Sequence, residues 1–563
     1  MVNFLQRLTI ARSISALPRF HKPWFWYEQA AGSIFRHHFS TEARTLCEDF
    51  FRNTSRRWMY ADRLNERYVK FRPRELQRIA GEALEQDCCP DIAKLAEGGF
   101  NKVFILQAKN GREVIARIPT PVAGPAHYTT ASEVATMDFL RTILKLPVPE
   151  VFAYSTTSDN PVGAEYILME RIEGESLSSR WLSLTTDEVK DIMTQIADME
   201  RKVFDFHFPA HGNLYHKKDL YGEIQIPVVD DFVVGPVSTR QFWHGERNRT
   251  EIDRGPWLSP VDCVTSAARR EMAIIQQHAK PQPRQTFLLP TDHNIHPSEH
   301  NSLLSQFLQL APHLIRPGSH SAPTLRHPDL SLSNILLAPK SSKIISIIDW
   351  QDAAIFPRFM QAGYPVFCEH DASKPQSLQI PSLPGNFDEM DIDEQRQTKA
   401  VFRLEEANLY YTAATGVHNE QHMDVLKTPY LGMQQYLLRQ TGYPWDADVI
   451  NLRAALVGIT TPSVWSKISS AECPVVFSDE QRQTAMAESE EWNESEQLLL
   501  RVREYLNIDS EGGTEPENLE RAVEGNLQFR MEMVRQAEPD QREISWRNWP
   551  YKDKDDSSIP PQI

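Results

Sequence analysis

The chain has few cysteines, and they are not paired in sequence. It carries 6 in 563 residues: Cys47, Cys88, Cys89, Cys263, Cys368 and Cys473, with no CxxC spacing. That excludes a disulfide framework and a zinc knuckle, and it points to a reducing compartment. Long apolar runs are also missing, since no stretch approaches the roughly 18 residues of a membrane-spanning helix. Basic residues are in deficit. The net charge is −16 and the pI near 5.6, so nucleic acid and anionic lipid would bind without electrostatic help. There is no internal repeat. What is present, 41% hydrophobic and 24% charged residues, is ordinary globular composition, and the length suggests more than one structural unit.

The beginning of the chain departs from this acidic balance. Arg7, Arg12, Arg19 and Lys22 precede the first acid, Glu28. Phe4, Leu5, Leu8, Ala11 and Ile14 share one helical face. An amphipathic, acid-free start with no uninterrupted apolar core predicts a mitochondrial transit peptide over residues 1–40, cleaved near Phe39–Arg44.

Residues 41–89 read as a helical extension. From residue 90 to 174 the pattern changes to short apolar runs. KVFILQA and VIARIP flank Asn110-Gly111, a hairpin signal. SEVATMDFLRTIL follows as a helix with Ser132 as its cap, then VPEVFAYS and AEYILME as strands. Residues 175–470 are mostly helical, with an aromatic, loop-rich insert near 206–290 and a strand KIISIID. Residues 471–563 form an acidic helical extension whose charges suit a solvated face. The reading is α+β: a small strand-rich unit, then a larger helical one.

Four pieces in order carry chemistry. Gly98-Gly99 leads into a strand, and glycine lets backbone N–H groups approach phosphate oxygens; alone, the pair also fits a plain turn. Arg117 on the next strand can grip outer phosphates, and Glu133 on the helix can hold it. LRHPDLSLSNILL places His327, Asp329 and Asn334 in one loop. Asp329 can orient a hydroxyl and accept its proton, Asn334 can ligate Mg²⁺ through its carbonyl oxygen, and His327 suits bracing the loop. Fifteen positions after Asn334, the strand Ile347-Ile348 ends in Asp349, a second hard oxygen ligand for Mg²⁺. Together they predict metal-assisted phosphoryl transfer.

RHPDLSLSNILL and IIDWQDA resemble the catalytic and metal-binding segments of the aminoglycoside phosphotransferase and choline kinase-like superfamily. The likeness covers roughly residues 90–440. More narrowly, GGFNKVFILQA, FPAHGNLYHKKDL and WHGERNRTEIDRGPW are similar to segments of the fungal "altered inheritance of mitochondria" protein nine group, a likeness that spans nearly the whole chain. The resemblance implies a protein-kinase-like two-lobe fold with a strand-rich N-lobe, a helical C-lobe and a helical C-terminal extension. It implies ATP and Mg²⁺ as cofactors, a small hydroxylated acceptor, mitochondrial (matrix) localisation and partner proteins there. Asp329 matches the base, Asn334 and Asp349 the metal ligands and Glu133 the helix carboxylate. Backbone near Glu170 matches the adenine-binding hinge. The family usually has Lys where this chain has Arg117, and a small or acidic residue where it has Gln351.

Three further readings follow. Arg117 and the acidic extension also suit a nucleotide-binding pseudokinase or scaffold. His293, His296 and His300 cluster in TDHNIHPSEH and suggest zinc, although surface loop histidines explain them more simply. Tyr215, Trp243 and Trp257 in the insert are candidates for an acceptor pocket, but core packing is the commoner role of such residues.

Overall fold

The computed structural model describes residues 48–85, 90–284, 294–369, 380–537 and 539–552. The predicted targeting segment, Cys47, Cys88, Cys89 and His293 lie outside the described residues.

In chain order, the elements that position the site begin with β1 (Arg57–Trp58), α1 (Ala61–Glu66) and α2 (Pro73–Ala83) of the N-terminal extension. The strands β2 (Asp91–Glu97), β3 (Asn101–Gln107), β4 (Glu113–Pro119), helix α3 (Tyr128–Thr142), β5 (Val151–Ser155) and β6 (Tyr166–Glu170) follow. These five strands form one antiparallel sheet in the order β2-β3-β4-β6-β5. The predicted hairpin turn is where expected, with Gly111 at φ 84, a conformation that glycine adopts without strain.

Side chains alternate across this sheet with period two. Phe104, Leu106, Val114, Ala116, Ile118 and Leu168 are buried on one face. There they pack against Phe50, Phe51, Phe71, Leu76, Ala80 and Leu84 of the N-terminal extension. The extension is therefore the cover of the sheet's outer face. The other face carries Val103, Ile105, Ile115 and Met169, all half-buried, and it looks into the cleft between the lobes.

The larger lobe holds α4 (Thr186–Phe204), a three-stranded sheet of β7 (Asn213–His216), β8 (Ile226–Val229) and β9 (Phe232–Gly235), then α5 (Pro260–His278) and α6 (Pro297–Leu314). The hairpin β10 (Ile335–Leu337) and β11 (Ile344–Ile347) precedes α7 (Ile392–His418) and α8 (Ile450–Ile459). The C-terminal extension is α9 (Asp479–Leu506), β12 (Gly513–Thr514) and α10 (Leu519–Gln536). Helices α4, α7 and α9 each start with a reciprocal capping box, Thr185/Glu188, Asp391/Glu394 and Ser478/Gln481, which satisfies N–H groups that a helix start leaves open. The architecture is the α+β, protein-kinase-like two-lobe fold that the resemblance implied. No helix among the described residues is long and apolar enough to cross a membrane.

Ser132 does not cap α3. The helix opens earlier, at Tyr128, and Ser132 is buried inside it. Its hydroxyl accepts a hydrogen bond from Asn213 Nδ2 at 2.9 Å. The insert that resisted assignment contains the β7–β9 sheet and α5. Tyr215 and Trp257 are core residues there, 0% and 4% exposed. Half-buried Trp243 stacks on Tyr128, with ring centroids 4.8 Å apart.

Candidate active site

The loop Arg326–Asn334 is fixed from within. The Arg326 guanidinium pairs with Glu200 at 2.9 Å and donates to the carbonyls of Gln361 and Gly363 at 2.9 and 2.8 Å. His327 is buried; its Nδ1 accepts the Asp329 N–H at 3.1 Å and its Nε2 lies 3.0 Å from the Ile348 carbonyl. Burial pushes the imidazole down to about 4, so it is neutral at pH 7 and donates from Nε2 to that carbonyl. Trp350 packs edge-on against the ring, with centroids 4.5 Å apart. Both ring nitrogens are thus engaged by backbone, which makes His327 the brace of the loop. Asp329 is exposed at its tip.

The hairpin then brings two oxygen donors together. Ile335 pairs with Ile347, and the Ile348 N–H donates to the Asn334 carbonyl at 3.0 Å. Asn334 and Asp349 consequently flank the same end of the ladder. Asn334 is oriented by its Nδ2, which donates to the Asp329 carbonyl at 2.9 Å. That leaves its Oδ1 without a protein donor among the described residues. Asp349 sits at φ 66 with its side chain half exposed.

Arg117 reaches this pair from the N-lobe. Its Nη1 bonds Glu133 on α3, while its Nη2 meets Asp349 Oδ1 at 2.9 Å and Gln351 Oε1 at 2.6 Å. A lysine, with one charged nitrogen, could not span these groups in the same way; the planar guanidinium can. Gln351 is buried and holds three N-lobe points: Arg117, Asn101 Nδ2 at 2.7 Å and the Ala123 carbonyl at 3.1 Å. Two carboxyl groups near this network are shifted. Burial, opposed by Arg117, raises Glu133 to about 7. Burial also raises Asp352 to about 6.

Asn213 joins the same assembly from the insert. Fully buried, it donates to Ser132 Oγ beside Glu133, to Ser238 Oγ and to the Ala353 carbonyl at 2.9–3.0 Å. Sequence reasoning missed Asn213, and it noted Gln351 only as a departure. Their partners are distant in sequence, and a single Asn or Gln carries no local signal.

The glycine loop lies at the β2–β3 turn. A Cβ added at Gly98 or Gly99 would meet nothing within 4 Å. The Gly98 N–H is taken by the Asn101 carbonyl at 3.0 Å. The N–H groups of Gly99 and Phe100 have no backbone acceptor among the described residues. Glu170 ends β6, and its groups are engaged: its N–H donates to the Glu150 carbonyl at 2.8 Å, and its carboxylate takes the Glu150 N–H and faces Arg141 at 3.4 Å. Of the candidate zinc histidines, His300 is buried on α6 and His296 is exposed at its start. Among the described residues no group of three or more His, Cys, Asp and Glu is arranged to hold a metal.

The phosphotransferase enzyme family model matches residues 91–362, the span that holds every residue of this site. A subtelomeric hrmA-associated cluster protein of Aspergillus fumigatus is 79% identical over 85% of this chain and 100% of its own length. "Altered inheritance of mitochondria protein 9, mitochondrial" of Lodderomyces elongisporus is 28% identical over 60% of this chain and 59% of its own. Among solved structures, a putative aminoglycoside phosphotransferase from Ralstonia eutropha is 14% identical, covers 76% of this chain and 99% of its own, and has a TM-score of 0.31. The chain belongs to the same family as the Aspergillus fumigatus subtelomeric hrmA-associated cluster protein; within it residues 91–362 match the phosphotransferase enzyme family model, and it is similar at 24–28% identity to altered inheritance of mitochondria protein 9 of several yeasts.

Proposed function

We propose that the protein is an ATP- and Mg²⁺-dependent phosphotransferase acting on a hydroxyl of a small molecule in mitochondria. The observation that carries this reading is Arg117. Its guanidinium is held by Glu133 of the N-lobe helix, the cation–carboxylate pair a phosphate clamp uses, beside the hairpin that carries Asn334 and Asp349. The donor set also suits Mg²⁺, which favours one or two protein oxygen ligands and phosphate oxygens over an all-protein cage. Asn334 Oδ1 and Asp349 would hold the ion, which neutralises charge on the phosphates when bound.

The remaining work falls to the chain's own groups. The Gly99 and Phe100 N–H groups meet phosphate oxygens. Arg117, held by Glu133, supplies positive charge on the opposite side. The Asp329 carboxylate accepts the acceptor hydroxyl's proton as the oxygen attacks phosphorus and the β–γ bridge breaks. Neutral His327 keeps the Asp329 backbone fixed through that transfer. Half-buried Val103, Ile105, Ile115 and Met169 offer the apolar surface that an adenine ring requires.

The mitochondrial assignment rests on the names of relatives and on the basic, acid-free start. A fluorescent fusion should enter mitochondria with residues 1–40 and remain outside without them. The activity is tested by thermal unfolding with ATP, with and without Mg²⁺, followed by a turnover screen. A Mg²⁺-dependent shift with phosphate release that disappears in Asp329→Ala supports the reading. Turnover unchanged in that variant ends it.

One observation favours a second reading. Asp349 Oδ1 is already engaged by Arg117 and the guanidinium is also held by Gln351, a grip suited to a nucleotide-binding scaffold. That reading expects ATP binding without turnover.

A further inference from the structure

The peptide carbonyls of the glycine loop are drawn to one side by the N-terminal extension. Asn53 Nδ2 donates to the Gly98 carbonyl at 3.2 Å, and Arg67 Nε donates to the Gly99 carbonyl at 3.0 Å. Both side chains belong to the N-terminal extension, and both residues are 0% exposed. A trans peptide is planar, with its C=O and N–H on opposite sides. Pulling the Gly98 carbonyl toward Asn53 therefore turns the Gly99 N–H the other way, and pulling the Gly99 carbonyl toward Arg67 does the same to the Phe100 N–H. These are the two loop N–H groups that have no backbone acceptor.

Arg67 is in turn held from the far end of the chain. Its Nη2 pairs with Glu511, its Nη1 donates to the Arg63 carbonyl at 3.0 Å, and its guanidinium lies 4.4 Å over the Trp58 ring. The turn that presents Glu511 is docked by strand pairing: Arg57 opposite Thr514, and Trp58 opposite Gly513. Arg56 pairs with Asp509 at 2.9 Å, and Asp509 Oδ1 accepts the Glu511 and Gly513 N–H groups at 2.8 Å. On its other side the extension is fastened to the C-lobe, where Arg453 of α8 pairs with Glu488 of α9. Lys102, buried beneath the loop, donates to Asn53 Oδ1, which fixes the orientation of that amide. The three charges of Arg67, Lys94 and Lys102 meet there, opposed by the two of Glu97 and Glu511.

We infer that Asn53 and Arg67, with Glu511 as the counter-charge of Arg67, are positioning residues that set the glycine loop for anion binding. The C-terminal extension is then part of the nucleotide site without touching nucleotide. The nucleotide consequence rests on the phosphotransferase reading; the effect on the loop does not.

The test uses the full chain with Glu511→Gln, which keeps the side chain's shape, and Arg67→Lys, which keeps the charge but loses the fork. Two quantities are measured: amide hydrogen exchange across residues 94–104, and the dissociation constant for ATP with and without Mg²⁺. Exchange at 94–104 is expected to accelerate about tenfold or more in both variants, while exchange in α3 and β4 stays at wild-type rates. The ATP dissociation constant is expected to rise about tenfold, with kcat for any identified acceptor changed much less. Wild-type exchange at 94–104, with a change confined to 505–515, overturns the inference. If the wild-type protein binds no ATP, the phosphotransferase reading fails, and the exchange measurement still decides whether the extensions set the loop.

Discussion

Adjacent rungs of one ladder serve opposite purposes in this protein. Phe104 pairs with Ala116 on the outer face of the five-stranded sheet, and Val103 pairs with Arg117 on the cleft face. On the outer face, Phe104 meets Phe50 and Phe71 edge-on, with centroids 5.6 and 5.3 Å apart, and the N-terminal extension excludes water. On the cleft face the aliphatic side chains are only half covered, and the buried Arg117 is matched by Glu133, Asp349 and Gln351. The strand period that builds the core therefore also builds the site. The outer face is completed by the chain itself, whereas the cleft face is left for something else to complete.

Substitutions on the two sides should separate these purposes. The largest effect is expected at the cleft: Asp329→Ala should lower turnover by about 10²–10⁴-fold, read by phosphate release, with thermal unfolding close to wild type. On the outer face, Phe104→Ala should do the reverse. It should cost about 3–5 kcal/mol of stability, measured by urea unfolding, and ATP binding should persist where the variant is folded.

A smaller effect lies behind the Arg326–Asn334 loop. The folded state keeps His327 neutral down to about pH 4, whereas the unfolded chain protonates it near 6.5. Between those values the unfolded state binds more protons, so stability falls as pH drops through the window. This group accounts for up to about 3 kcal/mol of that fall. His327→Gln should show a flatter stability curve from pH 6.5 to 4. The smallest effect concerns coupling across the cleft. Arg117→Lys and Gln351→Ala, combined in a double-mutant cycle on ATP affinity, should be non-additive by about 1 kcal/mol. Additive effects would show that Gln351 does not act through Arg117.

Much of this was legible because its causes are local. Asn110-Gly111 marks a turn through a backbone conformation that glycine tolerates. The His327, Asp329 and Asn334 spacing reflects one loop whose members bond one another within a few residues. Helix α3 was legible as a helix but not at its start. Ser132 has a capping residue's chemistry, yet its hydroxyl serves Asn213, 81 residues away. Arg67 with Glu511 was illegible for the same reason on a larger scale, since 444 residues separate them. A buried guanidinium reads in sequence as one more surface charge. Gln351 was visible only as an unusual residue, and its purpose requires knowing that Asn101, Ala123 and Arg117 converge on it.

The pairing of Arg67 with Glu511 also orders events during synthesis. A ribosome releases the glycine loop early and the Asp329, Asn334 and Asp349 set midway, and residue 511 emerges last among them. A product truncated between residues 349 and 511 carries Asp329, Asn334 and Asp349 but lacks Glu511, the partner of buried Arg67. On the inference drawn above, such a fragment would lack the tie that sets its glycine loop, so an incomplete chain would be marked as incomplete at that loop.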